Sequence, residues 1–305
     1  MAKVRPLRER LFSGSASVAI FLAAAAAVAG GSGARPRELL DPGRVPWTRL
    51  ELEARKFFTK ARTEIVLTSP AGLGRQLIAS PRGAALQPQG PLALLELRAA
   101  FAGRRSETSV WFDPRQAAVL QRLKLRPGKK GYQKTYRFTE DGVYSHRRSP
   151  LDSRQGAGPV EGWGKVEEAF YPYPERHREC GPISEPELLL YMISAAGTEK
   201  PFHTCSFSDK TLHHVELKPR GTVSLDVDYA TGSDGRQSRR RGRVEVEHVV
   251  LQARPVDAGS GDDFEFLGLE GDVDIFLDGR IPVEVAGRLP GLGRIRIKLV
   301  AVDLW

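Results

Sequence analysis

The 305-residue chain has only two cysteines, Cys180 and Cys205. None precedes position 180, which excludes the lipid-anchored start of an exported lipoprotein. No adjacent arginines precede the first apolar run, so nothing points to twin-arginine export. That run, Val18–Val28, has 11 residues, half of them alanine. A bilayer-spanning helix needs about 20. Also absent are a G-x-S-x-G elbow, an H-E-x-x-H zinc helix and the glycine patterns of nucleotide-binding loops. No repeat recurs at a fixed spacing.

What the N-terminus does contain is the pattern of a cleaved signal peptide over 1–34. Lys3, Arg5, Arg8 and Arg10 precede the apolar run, and small residues follow it. Cleavage after Ala34 would put Ser32 and Ala34 at the two small-residue subsites. The sequence therefore predicts an exported, periplasmic protein with no membrane span once the signal is removed. The whole chain carries +9, and the signal segment holds four basic residues and one acidic, leaving +6 on the remainder. Export makes nucleic acid a poor partner for this excess and an anionic lipid or glycolipid surface a better one. In an oxidising compartment two cysteines read as a Cys180–Cys205 disulfide, worth about 3 kcal/mol for a loop of this length. The competing arrangement is zinc on His177-x-x-Cys180 and His203-x-Cys205, which the compartment disfavours.

Residues 35–46 form a proline-rich lead-in, and 47–305 read as one β domain. Leu50, Leu52 and Ala54 alternate with Glu51, Glu53 and Arg55, and Leu95 and Leu97 alternate with Glu96 and Arg98. Leu123 and Leu125 stand against Arg122 and Lys124 in the same way. Such alternation means antiparallel strands with one face wet. Hairpins are expected near Asp141-Gly142 and at Asp278-Gly279. In the last strand the alternation changes face at Val300, as a bulge would make it do. Residues 148–184, with Gly156, Gly158, Gly162 and Gly164, read as a long irregular loop. A helix over 185–196 follows, with Ser184-Glu-Pro-Glu187 as a capping box and Gly197 as its stop. The sum is an all-β fold: an antiparallel barrel or curved double sheet of about a dozen strands with one short helix.

Candidate chemistry is sparse. His213 and His214 are neighbours on a strand and point to opposite faces, while His248 reads as a core histidine. Acid pairs at Asp226/Asp228, Asp262-Asp263 and Asp272/Asp274 lie on solvated positions. No catalytic residue, metal or cofactor is assigned. Two basic stretches, Arg122–Lys134 and Arg236–Arg243 with Arg239, Arg240 and Arg241 in the loop Gly232–Arg243, are candidate anion sites. The aromatics Trp163, Tyr171 and Tyr173, with Tyr191 on the helix, are candidate ligand contacts.

Gly271-Asp-Val-Asp-Ile-Phe-Leu-Asp278, Arg280-Ile-Pro-Val283 and Gly293 before a last alternating strand resemble a family of exported bacterial β proteins, domain of unknown function 3108. The helix Pro186–Ile193 sits where that family has a short helix between its halves. The resemblance implies envelope location and a β fold, and it supplies no catalytic residue. The expected function is a non-catalytic binding or carrier protein for an apolar or lipid-like ligand. The 148–184 segment and the helix would then act as a lid over a curved β shell. The alternatives are an envelope scaffold with a protein partner and, third, a hydrolase.

Overall fold

The computed structural model describes residues 39–305, apart from 57–58, 102, 234 and 258–263. The signal segment, most of the lead-in and the Asp262-Asp263 pair lie outside the described residues. The all-β class holds, with sixteen strands among the described residues in one mixed sheet. The first eight form an antiparallel meander: β1 (Trp47–Lys56), β2 (Thr59–Thr68), β3 (Ala93–Phe101), β4 (Arg104–Asp113), β5 (Ala118–Arg126), β6 (Tyr132–Phe138), β7 (Gly142–Ser149) and β8 (Lys165–Pro172). A five-residue helix, α1 (Ser153–Ala157), lies between the last two. The second half comprises β9 (Ile183–Ser184), α2 (Leu189–Ala196), β10 (Phe202–Ser208), β11 (Thr211–Ser233), β12 (Arg236–Pro255), β13 (Glu265–Phe266), β14 (Leu269–Asp278), β15 (Ile281–Leu289) and β16 (Gly293–Leu304). The halves join where β1 pairs with β16, and β8 and β9 are the two ends of the sheet.

Two segments expected to be loops are strands. Within 148–184, β8 pairs along its length with β7, from Ser149↔Lys165 to Gly142↔Pro172. It is an edge strand with Lys165, Val166, Glu167 and Glu168 exposed, so its sequence carries no alternation. The Gly232–Arg243 stretch belongs to a long ribbon in which β11 and β12 pair from His213↔Pro255 to Ser233↔Arg236. The ribbon bulges at Arg220, and its far end reaches β16 in parallel at Ala230↔Ala301, Thr231↔Val302 and Gly232↔Asp303. β11, β12, β14, β15 and β16 thereby close into a ring of five strands. The bulge expected at Val300 is present, since Glu51↔Ala301 is followed by Leu52↔Leu299. The C-terminal hairpin turns on Gly279 and Arg280, both at positive φ (55° and 72°), the pattern of a type I′ turn.

The helix is an interior element. Every residue from Leu189 to Ala195 is buried, as a helix apolar on all sides must be. Its entry is a 3₁₀ turn, Pro186–Leu188, and the expected capping box does not form. The Ser184 hydroxyl donates to the Met192 sulfur at 3.3 Å, and Glu187 accepts from Arg122. The Trp47 indole donates to Ser194 Oγ at 3.0 Å, and Tyr191 OH donates to the Pro114 carbonyl at 2.6 Å. At the other end Arg280 donates to the Ser194 carbonyl at 2.9 Å and Arg44 to that of Ala196 at 3.4 Å. These cations satisfy and complement the helix C-terminus. Gly197, at φ 87°, leaves room for the Arg280 guanidinium, which a Cβ there would meet at 2.6 Å.

One face of β3–β5 that would otherwise be wet is covered by residues 69–92. Leu73, Leu92, Trp111 and Leu120 make a second apolar cluster there, with Leu123 packed against it. Arg137 fastens this cover by donating to the carbonyls of Ile78 (3.1 Å) and Leu86 (3.0 Å). The consequence reaches the site: on β5 Leu123 takes the covered outer face and Arg122 turns inward.

Candidate functional site

Beside the N-terminal end of α2 the interior is not filled. A cavity of about 350 Å³ remains between β1, β2, β3, β16 and the turn leading into the helix. Its walls are apolar, with Leu52, Leu97, Ala99, Leu267, Ile295 and Ile297 prominent. Its floor is charged, made of Arg122 and Lys124 from β5 and Glu185-Pro186-Glu187 from the turn. Strand alternation places the β5 pair inward, and the buried helix forces the residues at its entrance into the interior with it.

Glu185 is 0% exposed and Arg122 9%. Arg122 Nη2 donates to Glu187 Oε1 at 2.7 Å, whereas Arg122 Nε stands 3.5 Å from Glu185 Oε2 and makes no hydrogen bond. Among the described residues no nitrogen or hydroxyl hydrogen-bonds either oxygen of Glu185 or Glu187 Oε2; the bond open to them is one between the two carboxyls, with Glu185 protonated. The hydroxyls of Tyr136, Tyr173 and Ser206 are likewise buried without a hydrogen-bond partner among the described residues. Burial pushes the Glu185 carboxyl well above the usual carboxylate range, and Glu187 adds to this against the pull of Arg122. Glu187 goes the other way: burial opposes its charge, but Arg122 and Lys124 outweigh burial and hold it low. For Arg122 burial is likewise overcome by the two glutamates, which keep the guanidinium charged. Two carboxyls two residues apart are thus driven in opposite directions, a pattern concentrated at functional sites.

The Cys180–Cys205 disulfide forms, with Cα atoms 5.3 Å apart, and ties the segment before β9 to β10. The zinc alternative fails, because both thiols are consumed and the histidine beside the bridge is His214, 3.3 Å from Cys205 Sγ. His177 Nδ1 contacts the Pro174 carbonyl, and His203 is exposed. His248 is half-buried, stacked on Phe276 and bonded to Asp274 at 2.8 Å. Asp272 accepts from Gln252 at 2.7 Å.

None of the four expected ligand aromatics lines the cavity. Trp163 donates to the Gln155 carbonyl at 2.8 Å and packs on the β5–β6 turn near Gly131. Tyr171 rests against Tyr136 and Phe207, Tyr173 against His177, and Tyr191 edge-on to Phe112. Each packs against neighbours within the protein, and the segment carrying the first three includes the edge strand β8. The three arginines proposed for anions have partners within the chain. Arg239 and Arg241 face Asp228 at 2.5 and 3.9 Å, and Arg240 reaches Asp278. A second, wider slot of about 1090 Å³ lies beside them, lined by charges such as Asp226, Arg294 and Arg296 and open to solvent.

Fold and site together define a class: an all-β protein with a buried helix and an apolar-walled cavity set on ionisable groups. Comparison with protein-family models, curated proteins and solved structures gives no match to this chain.

Proposed function

We propose that this is a non-catalytic cell-envelope binding or carrier protein that holds a small apolar or lipid-like ligand in the cavity beside α2. The observation that carries this reading is an apolar-walled space of about 350 Å³ set on ionisable side chains. Small-molecule sites range over about 300–1,000 Å³, so one short chain or compact ring fits and a two-chain lipid does not. The lining includes neither histidine nor cysteine, and its side-chain hydroxyls are those of Thr63, Ser106, Thr108 and Ser208. Envelope location rests on the N-terminal pattern and the family resemblance, and the disulfide agrees with an oxidising compartment.

An acid–base enzyme is the second reading, and one observation favours it: the opposed tendencies of Glu185 and Glu187. Native mass spectrometry of protein purified from its own envelope separates the two. A copurifying small amphiphile is expected, and Ala99→Trp, which fills the cavity, should abolish it while leaving the circular dichroism spectrum unchanged. A bare mass, together with no saturable uptake of the apolar dye N-phenyl-1-naphthylamine, rejects the carrier reading.

A further inference from the structure

The polar end of the ligand can be argued from the floor. Three buried carboxylate oxygens in this site accept no hydrogen bond from a nitrogen or hydroxyl among the described residues: Glu185 Oε1, Glu185 Oε2 and Glu187 Oε2. Buried polar atoms are rarely left so, because each unmade bond costs about 1–3 kcal/mol. The only guanidinium in reach already serves Glu187, at 2.7 Å. Against these three acceptors the floor leaves one buried nitrogen without a hydrogen bond, Arg122 Nε, 3.5 Å from Glu185 Oε2.

The charge of the lining points the same way. The chain as a whole carries +9, yet the cavity is lined by Arg55, Arg122 and Lys124 against Glu185, Glu187, Asp209 and Glu265. With Glu185 protonated, as its burial favours, three cations face three anions; once it ionises the lining holds one negative charge in excess, inside a basic protein. Lys124 would be the natural partner of an anionic head, but its field already acts on both glutamates. A second carboxylate or a phosphate would add to an acceptor surplus at low dielectric, where like charges repel strongly.

We infer that the ligand's head is a hydrogen-bond donor, in the first instance an ammonium group, seated on Glu185 and Glu187 with its apolar body along β1, β3 and β16. This rests on the carrier reading above and adds the chemical class of its ligand. An alkylammonium supplies three donors to these three oxygens, and it adds a hydrogen-bonded cation beside Glu185, whose nearest cation, Arg122 Nε at 3.5 Å, makes it no hydrogen bond. Binding then draws Glu185 into its ionised form and releases its proton. A hydroxyl head supplies one donor and ranks second.

Calorimetric titration of the purified, disulfide-intact protein with octylamine, octanol, octanoate and octyl phosphate tests this. At pH 7.5 octylamine should bind at least tenfold more tightly than octanoate or octyl phosphate, with octanol between. Glu185→Gln should shrink the amine-to-carboxylate ratio about tenfold and change octanol affinity less than threefold. The wild type offers an independent measure should that variant not fold. Octylamine affinity should rise several-fold from pH 5.5 to 7.5, octanol affinity should stay level, and buffers of different ionisation enthalpy should report proton release with the amine alone. The groups facing Glu185 are Arg122 and Lys124 from β5, Glu187 beside it, Tyr136 from β6 and Tyr173 after β8. Cationic side chains and phenols keep their protonation over that range, so the pH effect reports the carboxyl pair. Octanoate binding as tightly as octylamine, or equal pH profiles for amine and alcohol, overturns the head-group assignment and leaves the carrier. No saturable binding of any of the four overturns both.

Discussion

Glu284 and Glu185 are equally removed from water, at 2% and 0% exposure, and their surroundings could hardly differ more. Glu284 sits on β15 with Arg296 at 3.3 Å and Lys298 at 3.6 Å from the neighbouring strand. Glu53 on β1 repeats the arrangement with Arg55 and Lys60, and although burial opposes its charge these partners hold its carboxyl low. In both cases the cations reach in from solvent with exposed side chains. Their carboxylates belong to the cross-strand ladders that register the sheet. Glu185 has no such ladder, and its one near cation serves another residue. A buried charge matched by its neighbours is architecture; one left unmatched beside a cavity marks a place where something else binds.

The largest effect should come from removing the one cation the site depends on. Arg122→Ala leaves Glu187 buried without its partner, and breaking one side of a buried pair costs about 3–5 kcal/mol. Urea unfolding at pH 7 measures it. A loss under about 1 kcal/mol would mean that Arg122 is no more than another ladder cation. Next comes the disulfide. Replacing both cysteines by serine should cost about 3 kcal/mol, the chain-entropy value for a closed loop of about 25 residues. Because the bridge anchors the chain just before Ile183–Glu185 to β10, ligand binding should weaken in the same variant. If stability falls and binding does not, the turn holds its place without the tie.

Much of this fold was legible because most strands have one wet face. Alternation located β1, β3, β14, β15 and the Val300 bulge without help. It failed where that physical condition failed. β5 has both faces covered, so Arg122 read as solvated when it is the inward residue. β8 is an edge with exposed charges running together, and the far end of β12 carries arginines on a ribbon paired on one side. The helix is legible in the sequence, but a capping box of Ser184 and Glu187 gives no hint that Glu185 and Glu187 are buried. The available signal was the stretch after them: Leu188–Ala195 has no polar face apart from Ser194. A helix that must be buried all round drags its entrance residues inside, and two glutamates there demand partners.

Acidity separates Glu185 from Glu187 directly. Glu185 has a raised folded-state pKa, so over the range above the unfolded value of about 4.3 the native state keeps a proton that the unfolded state has released. Stability from this group is present at low pH and lost as pH rises toward the folded value, by up to about 1.4 kcal/mol per pH unit. Glu187 is lowered, so its contribution is present above the unfolded value and lost as pH falls. Glu185→Gln removes the first effect and leaves the second. Melting curves from pH 4 to 8 should show the variant equal to wild type at the acid end and progressively more stable above it. Parallel curves would place Glu185 among the ordinary ladder carboxylates.

The smallest effect belongs to Glu284→Gln, and it closes the contrast from the other side. Arg296 and Lys298 are 62% and 53% exposed, so on losing their partner they turn to water instead of remaining buried and unpaired. The attraction they give up is also screened by solvent and salt, and exposed pairs of this kind are worth about 0.2–1 kcal/mol. The amide keeps hydrogen-bond acceptance at one oxygen, which limits the loss further. Destabilisation of under about 1 kcal/mol is therefore expected, shrinking when the urea titration is repeated in half-molar sodium chloride. The cost of Arg122→Ala should barely move in that salt, since its charges lie beyond the reach of screening ions. A salt-insensitive loss of several kcal/mol at Glu284 would show that burial of the carboxylate alone sets the cost, whatever surrounds it. The unpartnered oxygens of Glu185 would then lose their standing as the mark of a binding site.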